Sequence, residues 1–541
     1  MKEQSVKPVR EFHFSDLFLD FLSEKPAMKK YFLYGSASQV APKIDRPKVD
    51  LLAMSDILYR QNTEFRAKPG TYESIEKLRK EDSLCIFAGQ QAGLYGGPLL
   101  TLYKAIGIAK TAKNLEKELG RPVVPIFWIA ADDHDFDEIN HAFMLDAQGE
   151  IEKLSYDRSP KTPVPAAEML FDDEKSYRAL VDKTQRICGS SEFTAEMYRR
   201  LFAAYLMNNN FVNAFARFML DILPDFGLVM FSPADKEVKS VSKGFFKRLA
   251  EGHFRAKELL KETAVDLEED GYHIQVEKKD TAVHLFYHAP ARCPIHFEDD
   301  SFIVDEKRLG LPAFLDLIDK HPERFSPDVL TRPLWQSFLF PVVVQAGGPS
   351  EIAYFSQIGK LFELFNMTQP FYILRPALTI VERRHEIAMH DLSIGLTDLT
   401  GDVEDIVNRI SVQSFPKEME AKIAEFRNKF EVEFQAFFGA VRQFDESLEP
   451  MGKQTYGKID FALNAFEKKI YDHHKKKMET TRNHIYKLAA ALYPNRNLQE
   501  RSLNINYFIA KYGPGIVDFI AEKIDVNSKE HQLLYISEFL S

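Results

Sequence analysis

The chain has 541 residues, of which 45% are hydrophobic and 28% charged, and its formal net charge is −10. This length suits two to four domains, and the composition is that of a soluble globular protein. The acidic balance argues against nucleic acid as the main partner. The first residues, MKEQSVKPVREF, contain no apolar signal-peptide core, and no run approaches the length needed to span a bilayer, so we expect no membrane partner. The three cysteines form no CxxC pair, which argues against a disulfide framework and predicts a cytoplasmic protein.

The first feature with chemical content is residues 83–104, SLCIFAGQQAGLYGGPLLTLYK. Residues 84–88 predict a buried strand, a glycine-rich loop follows, and Pro98 begins a helical pattern. Such a turn directs backbone N–H groups and the positive end of a helix dipole at one point, where an anion can bind. Thr101 and Lys104 share a helix face beside that point. The spacing matches neither a P-loop nor the GxGxxG fingerprint, and a βα turn that only packs closely remains an alternative.

A polar cluster, residues 132–141, directly follows a second apolar strand at 123–130. If this cluster is helical, His134, Glu138 and His141 lie on one face and could hold a divalent metal. Two other interpretations stay open, namely a polar cluster that contacts a ligand or fixes a loop without metal, and a solvated run of charge.

Three further apolar strands, at 226–231, 341–346 and 370–374, also end in glycine or in polar residues. Strands without polar alternation, separated by helices, predict an α/β fold with a parallel sheet. The carboxyl ends of parallel strands meet at one edge, so we expect carboxylates, histidines, Lys104 and Arg375 to share a crevice there.

Two regions lie outside this sheet. The first follows residue 150 and includes four short alternating segments that predict a small antiparallel meander, at 272–277, 281–288, 293–299 and 301–306. Its histidines and Cys293 lack metal-ligand spacing. The second begins near residue 386 and carries apolar residues at steps of three and four on both sides of a break at 449–452, which predicts an antiparallel helical hairpin or coiled coil. Its apolar stripe exceeds what one partner helix needs, so we expect a homodimer surface.

Five motifs together resemble the BshC family of bacillithiol-biosynthesis enzymes: AGQQAGLYGGPLLTLYK, PIFWIAADDHDFDEINH, VVVQAGGPSEIAYF, LRPALTIVE and NLQERSLNINYFIAKYG. The resemblance covers essentially the whole chain. It implies a Rossmann-like core akin to nucleotidyltransferases and class I aminoacyl-tRNA synthetases, a connecting-peptide insertion and a C-terminal coiled coil that dimerises. The predicted domains are 1–150, lead-in and first half of the core; 151–325, insertion with a core strand near 226–231; 326–385, second half of the core; and 386–541, coiled coil and tail.

The resemblance implies a carbon–nitrogen ligase that joins L-cysteine to glucosaminyl malate by an amide bond and so gives bacillithiol. ATP is the implied activator of the cysteine carboxylate, through an adenylate or an acyl phosphate, and whether Mg²⁺ accompanies it stays open. The chain departs from the related superfamily because it lacks the HxGH signature after the first strand. It also has no lysine in residues 375–382, where that superfamily places a second phosphate loop.

The implied catalytic residues are Lys104 and Arg375, which would offset developing charge, and Asp133 or His134, which would take the proton from the attacking amine. Glu351 is the candidate for the cysteine ammonium. The other predicted substrate- or nucleotide-binding residues are Gln90, Gln91, Gly93, Gly97, Pro98, Thr101, Asp135, Glu138, His141, Gly347, Gly348 and Thr379.

Two other functions remain open at this stage. One is a metal-dependent transferase or hydrolase that uses His134, Glu138 and His141. The other is a non-catalytic scaffold of the pathway, acting through the helical hairpin, which predicts that alanine is tolerated throughout the crevice.

Overall fold

The structure is a computed structural model in which residues 6–7, 12–44, 46–289 and 291–540 are described. By its internal contacts the chain forms two units. Unit 1 comprises residues 1–381 and 497–541, and unit 2 comprises residues 382–496. The boundaries predicted from sequence grouped the C-terminal tail with the coiled coil, whereas its contacts place it in unit 1.

The chain enters unit 1 through β1 (Val6–Lys7) and four helices, α1 (Asp16–Leu22), α2 (Ala37–Val40), α3 (Leu51–Glu64) and α4 (Pro69–Leu78). Asp50 caps α3, since its side chain accepts a hydrogen bond from the Leu52 N–H. Buried apolar residues of α3 and α4 belong to the same core as the first strand of the central sheet.

The first half of the core consists of β2 (Leu84–Gln90), α5 (Leu99–Leu119) and β3 (Val123–Ile129). All seven residues of β3 are buried, as expected for a strand covered on both faces. Helix α5 ends at Gly120, whose φ of 62° is the left-handed conformation that glycine adopts without strain.

The region after β3 differs from the predicted helix. Helix α6 (Phe136–Ile139) has only four residues, and His141 begins β4 (His141–Leu145), which pairs antiparallel with β5 (Ile151–Ser155). His134 precedes α6 and His141 follows it, so the predicted single helix face of His134, Glu138 and His141 is wrong. The side-chain ring of His141 contacts its strand neighbour Phe143 instead.

Six helices and a core strand follow: α7 (Glu174–Cys188), α8 (Thr194–Ala204), α9 (Phe211–Ile222), β6 (Val229–Phe231), α10 (Lys236–Val241), α11 (Lys243–Glu251) and α12 (His253–Glu269). A seventh helix, α13 (Leu311–Lys320), lies before the last strand of the meander. The meander consists of β7 (Ala282–His288), β8 (Arg292–Glu298), β9 (Ser301–Val304), β10 (Lys307–Leu309) and β11 (Phe325–Pro327). These five strands form one antiparallel sheet in the order β10-β9-β8-β7-β11.

The predicted meander is therefore present, with two differences. Residues 272–277 form no strand, because the main chain of Val276 exchanges hydrogen bonds with the Gln357 side chain rather than with a neighbouring strand. Strand β11, which pairs with β7, was not anticipated, since a proline-containing triplet carries almost no alternation.

The second half of the core is α14 (Arg332–Leu339), β12 (Val342–Gly347), α15 (Pro349–Phe355), α16 (Leu361–Leu364), β13 (Phe371–Leu374) and β14 (Leu378–Val381). The central sheet has the order β13-β12-β2-β3-β6, and every pairing in it is parallel. All five predicted core strands thus lie in one parallel sheet, and the predicted α/β class is confirmed.

Unit 2 is entirely helical over its described residues: α17 (Arg383–Leu392), α18 (Val403–Gln413), α19 (Lys417–Phe444), α20 (Glu449–Lys477) and α21 (Glu479–Leu492), with short 3₁₀ turns between some of them. Helices α19 and α20 form the predicted hairpin, in which Arg427 of α19 pairs with Asp460 and Glu467 of α20 at 2.5 Å each. The break lies at residues 445–448, slightly before the predicted one, because Pro450 occupies the first turn of α20, where its missing N–H is tolerated.

The tail consists of α22 (Gln499–Ser502), α23 (Ile505–Tyr512), α24 (Gly515–Lys523) and β15 (His531–Tyr535). It joins unit 1 through a three-stranded sheet, β1-β15-β14, in which β15 runs parallel to β14. Among the described residues, none of the helices combines the length and apolar character needed to cross a bilayer.

Candidate active site

A cleft of about 470 Å³ lies at the carboxyl edge of the central sheet. This volume is within the range of small-molecule sites, and the position is where open parallel sheets bind ligands. The ends of β2, β3 and β12 supply one side, and residues of the meander and α14 supply the other. Eight of the predicted site residues line it, namely Gln90, Gln91, Lys104, Asp133, Glu138, Gly348, Glu351 and Arg375.

The remaining predicted residues are not among those that line the cleft: Gly93, Gly97, Pro98, Thr101, His134, Asp135, His141, Gly347 and Thr379. Thr379 lies on β14, where its hydroxyl is 2.8 Å from Nε2 of His531. Asp135 caps α6 by accepting the Glu138 N–H at 3.1 Å. Gly347 packs so closely on α15 that a Cβ there would lie 2.8 Å from Cβ of Glu351.

The glycine loop between β2 and α5 is buried and already occupied by protein groups. The Tyr205 hydroxyl accepts the Gly96 N–H at 2.9 Å and donates to the Gly93 carbonyl. Nδ2 of Asn504 donates to the Gly97 carbonyl at 2.7 Å, and the Leu99 N–H donates to the Leu503 carbonyl. The expected anion cradle at Gly97 and Pro98 is therefore corrected: the N–H groups of Gly96 and Leu99 donate to the distant Tyr205 and Leu503, and the Gly97 N–H donates to the Leu94 carbonyl.

Lys104 is buried and has its three N–H groups occupied. It donates to the Gly89 carbonyl at 2.8 Å and to Oε1 of Gln90 at 2.9 Å, and it pairs with Oε2 of Glu351 at 2.6 Å. Burial lowers the pKa of Lys104, and the Glu351 carboxylate opposes this shift. Glu351 also accepts the Gly348 N–H at 2.8 Å. Both side chains thus hold the β2 and β12 ends together, which occupies the three donors of Lys104 and one carboxylate oxygen of Glu351.

Arg375 has a similar structural partner. Its Nη2 lies 2.6 Å from Oε1 of Glu500 in the tail, and Nη1 donates to the Pro376 carbonyl at 2.9 Å. The other Glu500 oxygen accepts the Leu378 N–H at 3.0 Å. A Cβ on Gly348 would lie 3.1 Å from Nε of Arg375, so a side chain there would press on the guanidinium group and force it to shift. The charge of Arg375 is neutralised within the fold.

An acidic group faces the cleft from the β3 end. Nε2 of Gln91 donates to Oδ2 of Asp133 at 2.9 Å and to Oε2 of Glu138 at 2.6 Å. Burial opposes ionisation of Asp133, but the Gln91 hydrogen bond and the charge of Arg292 hold its pKa below the usual value. Burial, together with the charges of Asp133 and Asp135, raises the pKa of Glu138. Asp133 is thus the stronger acid of the two carboxyl groups, because its pKa is lowered while that of Glu138 is raised.

His134 lies beside this group without entering the cleft. Its backbone N–H donates to Oδ1 of Asp133 at 2.8 Å, while its ring Nδ1 is 3.9 Å from the same oxygen. That nitrogen is buried and has no hydrogen-bond partner in the part of the chain that the structure describes. Within the same residues, no three His, Cys, Asp or Glu side chains are grouped to hold a metal ion.

Sequence reasoning missed several charged residues of the cleft. Lys239 of α10 binds both oxygens of Asp132 at 2.8 Å and the Phe325 carbonyl at 2.9 Å, with its ammonium 4.8 Å from the Trp335 ring centre. Lys239 thus holds Asp132, which lines the cleft, and the other charged residues missed in its lining are Lys278, Arg292, Asp328, Arg332 and Arg501. Arg332 had a weak signal, since it begins the helix before a core strand. Arg292 and Lys278 had none, because only the fold brings the insertion to this edge.

Comparison with known families decides the relationship. A model described as the N-terminal Rossmann-like domain of bacillithiol biosynthesis BshC matches residues 1–376, and one described as its C-terminal coiled-coil domain matches residues 378–536. The chain belongs to the BshC family. The predicted Rossmann-like core and coiled coil are confirmed by this membership.

Curated BshC relatives carry the name "Putative cysteine ligase BshC". The protein of Salinibacter ruber is 28% identical over 96% of each chain, and that of Geobacillus thermodenitrificans is 30% identical over 90% of this chain and 91% of its own. The Geobacillus kaustophilus protein is also 30% identical, over 90% and 91%. We therefore class the chain as an enzyme of a ligase family that is named for bacillithiol biosynthesis.

One solved structure, titled as a putative arginyl-tRNA synthetase from Campylobacter jejuni, aligns with 82% of this BshC-family chain and 93% of its own. Its sequence identity is 10% and its TM-score is 0.20, so the fold assignment rests on the sheet and the family models instead.

Proposed function

We propose that this protein joins the carboxyl group of L-cysteine to the amine of glucosaminyl malate in an ATP-consuming reaction, giving bacillithiol. The observation that carries the proposal is one cleft in which an acidic group, Asp133 and Glu138, faces cations at the carboxyl edge of a parallel sheet. An amide ligase needs both kinds of group, because one substrate brings an ammonium and the other reactants bring anions.

Asp133 is the residue that we assign to the proton of the attacking amine. Asp133 is ionised at neutral pH and Gln91 fixes the orientation of its carboxylate, so position rather than basicity supports this role, since the lowered pKa makes the carboxylate a weaker base. As the new C–N bond forms, the amine loses a proton to this carboxylate, and one oxygen of the cysteine carboxyl group departs with phosphate. His134 remains the alternative base.

Glu138 replaces Glu351 as the group that holds the cysteine ammonium. Glu351 is engaged by Lys104, whereas the raised pKa of Glu138 reflects burial beside other carboxylates, and a bound ammonium would relieve both effects. The carboxyl group of cysteine would then lie beside Asp133.

The side of the cleft that lies opposite the meander and α14 has hydrogen-bond donors that fit the phosphates of ATP. Nε2 of Gln90, the hydroxyl of Ser350 and the guanidinium of Arg501 line it, and in the described part of the chain none of them has a hydrogen-bond acceptor. When bound, ATP would supply the phosphoryl or adenylyl group that turns a carboxylate oxygen into a leaving group. Whether Mg²⁺ accompanies ATP stays a prediction to be tested by metal dependence.

The test is to follow oxygen from cysteine labelled with ¹⁸O in its carboxyl group. Purified protein given labelled cysteine, glucosaminyl malate and ATP should form bacillithiol and transfer one labelled oxygen to AMP or to inorganic phosphate. Label in AMP indicates an adenylate route, and label in phosphate an acyl-phosphate route. Release of neither AMP nor ADP would remove the basis for the proposal.

The matched variants are Asp133→Asn and Asp135→Asn. We expect Asp133→Asn to lower the rate of amide formation by a factor of about 10² to 10⁴, the usual contribution of a positioned base. Asp135 caps a short helix and does not line the cleft, so its variant should retain most activity. Full activity of Asp133→Asn would favour His134 as the base, or the scaffold hypothesis if every cleft variant is tolerated.

We also expect a homodimer formed through unit 2 and a cytoplasmic location. The support for the dimer is a set of large apolar side chains that the hairpin leaves exposed, including Phe437 and Phe461, which are 67% and 76% exposed.

A further inference from the structure

Two arginine side chains on the side of the cleft formed by the meander and α14 have no carboxylate partner in the described part of the chain. Arg292 on β8 donates only to neutral groups, the Ser326 hydroxyl and the Pro327 carbonyl, each at 3.3 Å. Arg332, the first residue of α14, donates to the Tyr354 hydroxyl at 3.3 Å. Within the described ranges, neither guanidinium forms an ion pair with an Asp or Glu side chain.

The other buried cations of this region behave differently. Lys104, Lys239 and Arg375 each have a carboxylate at 2.6 to 2.8 Å. Arg292 and Arg332 have only neutral hydrogen-bond partners, and nearby carboxylates act on them through longer-range charge alone. An anion bound in the cleft would give both guanidinium groups the direct charged partner that the other three cations already have.

Arg292 and Arg332 both line the same cleft, so one ligand bound there can meet both guanidinium groups. Burial lowers the pKa of Arg292, the charges of Asp132 and Asp133 oppose this, and the positive charge of Arg332 adds to the shift. The guanidinium of Arg292 is also stacked on the Phe286 ring, 3.7 Å from its centre, which fixes the plane of its donors. The N–H donors of the Arg292 guanidinium are therefore oriented before any ligand binds.

We propose that Arg292 and Arg332 together bind the two carboxylates of a dicarboxylate group on the acceptor substrate. The inference rests on the proposed function for the acceptor being a dicarboxylate. Two guanidinium groups match a dianion in charge, and their planar forks match carboxylates in geometry. Cysteine fits less well, since it carries one carboxylate and an ammonium that needs the acidic side of the cleft.

The phosphates of ATP are the other source of paired oxyanions, and the experiment separates the two. Malate, lactate and ATP are titrated against the full-length protein by ligand-observed NMR, which measures weak affinities. The variants are Arg292→Gln, Arg332→Gln and the charge-preserving Arg332→Lys, with the exposed helical Arg255→Gln as the matched control. Circular dichroism establishes that each variant is folded.

We expect malate to bind the wild type and the control equally, and at least tenfold more weakly to each glutamine variant. Arg332→Lys should lose most of this affinity as well, because an ammonium lacks the fork. ATP affinity should stay within twofold, and lactate should bind weakly to every form. Unchanged malate binding in the glutamine variants would overturn the proposal, and so would a loss of ATP affinity equal to or larger than that of malate.

Turnover gives an independent readout. In the variants the KM for glucosaminyl malate should rise at least tenfold while the KM for cysteine stays unchanged, and a rise in the cysteine KM alone would contradict the assignment. Malate binding needs no turnover. A wild-type protein that makes no amide would therefore refute the proposed function while leaving the malate result to be judged separately.

Discussion

At the scale of single residues, the cleft separates cations that hold the fold from cations that are available to a ligand. Lys104 and Arg375 belong to the first group, since their donors are taken by Glu351, Glu500 and main-chain carbonyls. Arg292 and Arg332 belong to the second. A lysine or arginine at a strand end is thus a poor guide to ligand contact until its partners are known.

The Lys104–Glu351 pair should matter first for stability. Removing one member of a buried pair leaves the other charge uncompensated, so we expect Lys104→Met to lower the free energy of unfolding by about 3 kcal/mol. The measurement is urea unfolding followed by tryptophan fluorescence, which reports on unit 1 because both tryptophans, Trp128 and Trp335, are buried there.

The double variant Lys104→Met/Glu351→Gln should recover part of this loss, because no unpaired charge remains. If Lys104→Met is as stable as the wild type but inactive, Lys104 acts on the substrate directly and the structural role is wrong.

His531 should make unit 1 less stable in mild acid. It is buried against Thr379, and burial lowers its pKa to about 4. An unfolded histidine has a pKa near 6.5, so between pH 6.5 and 4 the unfolded chain binds more protons and stability falls as the pH falls. From pH 6.5 to 5 this contributes about 2 kcal/mol.

His531→Gln cannot titrate, so its fluorescence-detected unfolding free energy should fall less than that of the wild type over the same interval. Equal losses in the two proteins would show that other groups dominate the acid response.

At the scale of elements, the positions of the core strands were easier to predict than the contacts of the turns that follow them. The five core strands were found because each is a short apolar run that ends in glycine or polar residues, a local pattern set by burial on both faces. The polar groups that close the β2–α5 turn, Tyr205 and Asn504, are distant in sequence. No local pattern could have shown that Tyr205 would accept the Gly96 N–H, or that Asn504 would donate to the Gly97 carbonyl.

The prediction of a helix after β3 failed for a related reason. A period of three or four residues in the segment 134–141 fits a helix, but the segment ends in a β-hairpin strand that pairs with residues 151–155. Tertiary pairing overrode the local pattern. Glu138 still reaches the cleft, through Gln91, whereas His141 is held by the Asn140 side chain at 3.1 Å.

Helix α5 should tolerate no side chain at Gly107. A Cβ at this position would lie 2.6 Å from Cδ of Pro376, the residue after Arg375. We expect Gly107→Ala to lower the unfolding free energy by about 1 to 3 kcal/mol through overpacking. It should also reduce activity, because the turn between β13 and β14, which contains Arg375 and Pro376, must shift.

The control is Lys113→Ala, an exposed position on the same helix that should leave both properties nearly unchanged. Wild-type stability and activity in Gly107→Ala would contradict the prediction, since they would mean that the turn between β13 and β14 shifts at no energetic cost.

At the scale of the whole molecule, unit 2 has more apolar surface than its own hairpin uses. Phe430 and Phe434 contact Tyr456 across the hairpin, whereas Phe437 and Phe461 are exposed. An apolar surface of this kind on a water-exposed hairpin favours association with a second copy.

Phe437→Glu combined with Phe461→Glu should therefore convert a dimer into a monomer in sedimentation velocity. Lys429→Ala, an exposed change on the same hairpin, should leave the dimer intact. A wild-type protein that sediments as a monomer at micromolar concentration would contradict the dimer prediction.

The return of the tail to unit 1 has a consequence for the order in which the chain can fold during synthesis. The β2–α5 turn depends on Leu503 and Asn504, and Arg375 depends on Glu500, all of which leave the ribosome after unit 2 has been made. The cleft can therefore close only after residues 500–504 have been made, although most of its lining precedes unit 2 in the chain. A nascent chain that lacks these residues would hold Arg375 without its Glu500 partner, beside a β2–α5 turn without Asn504.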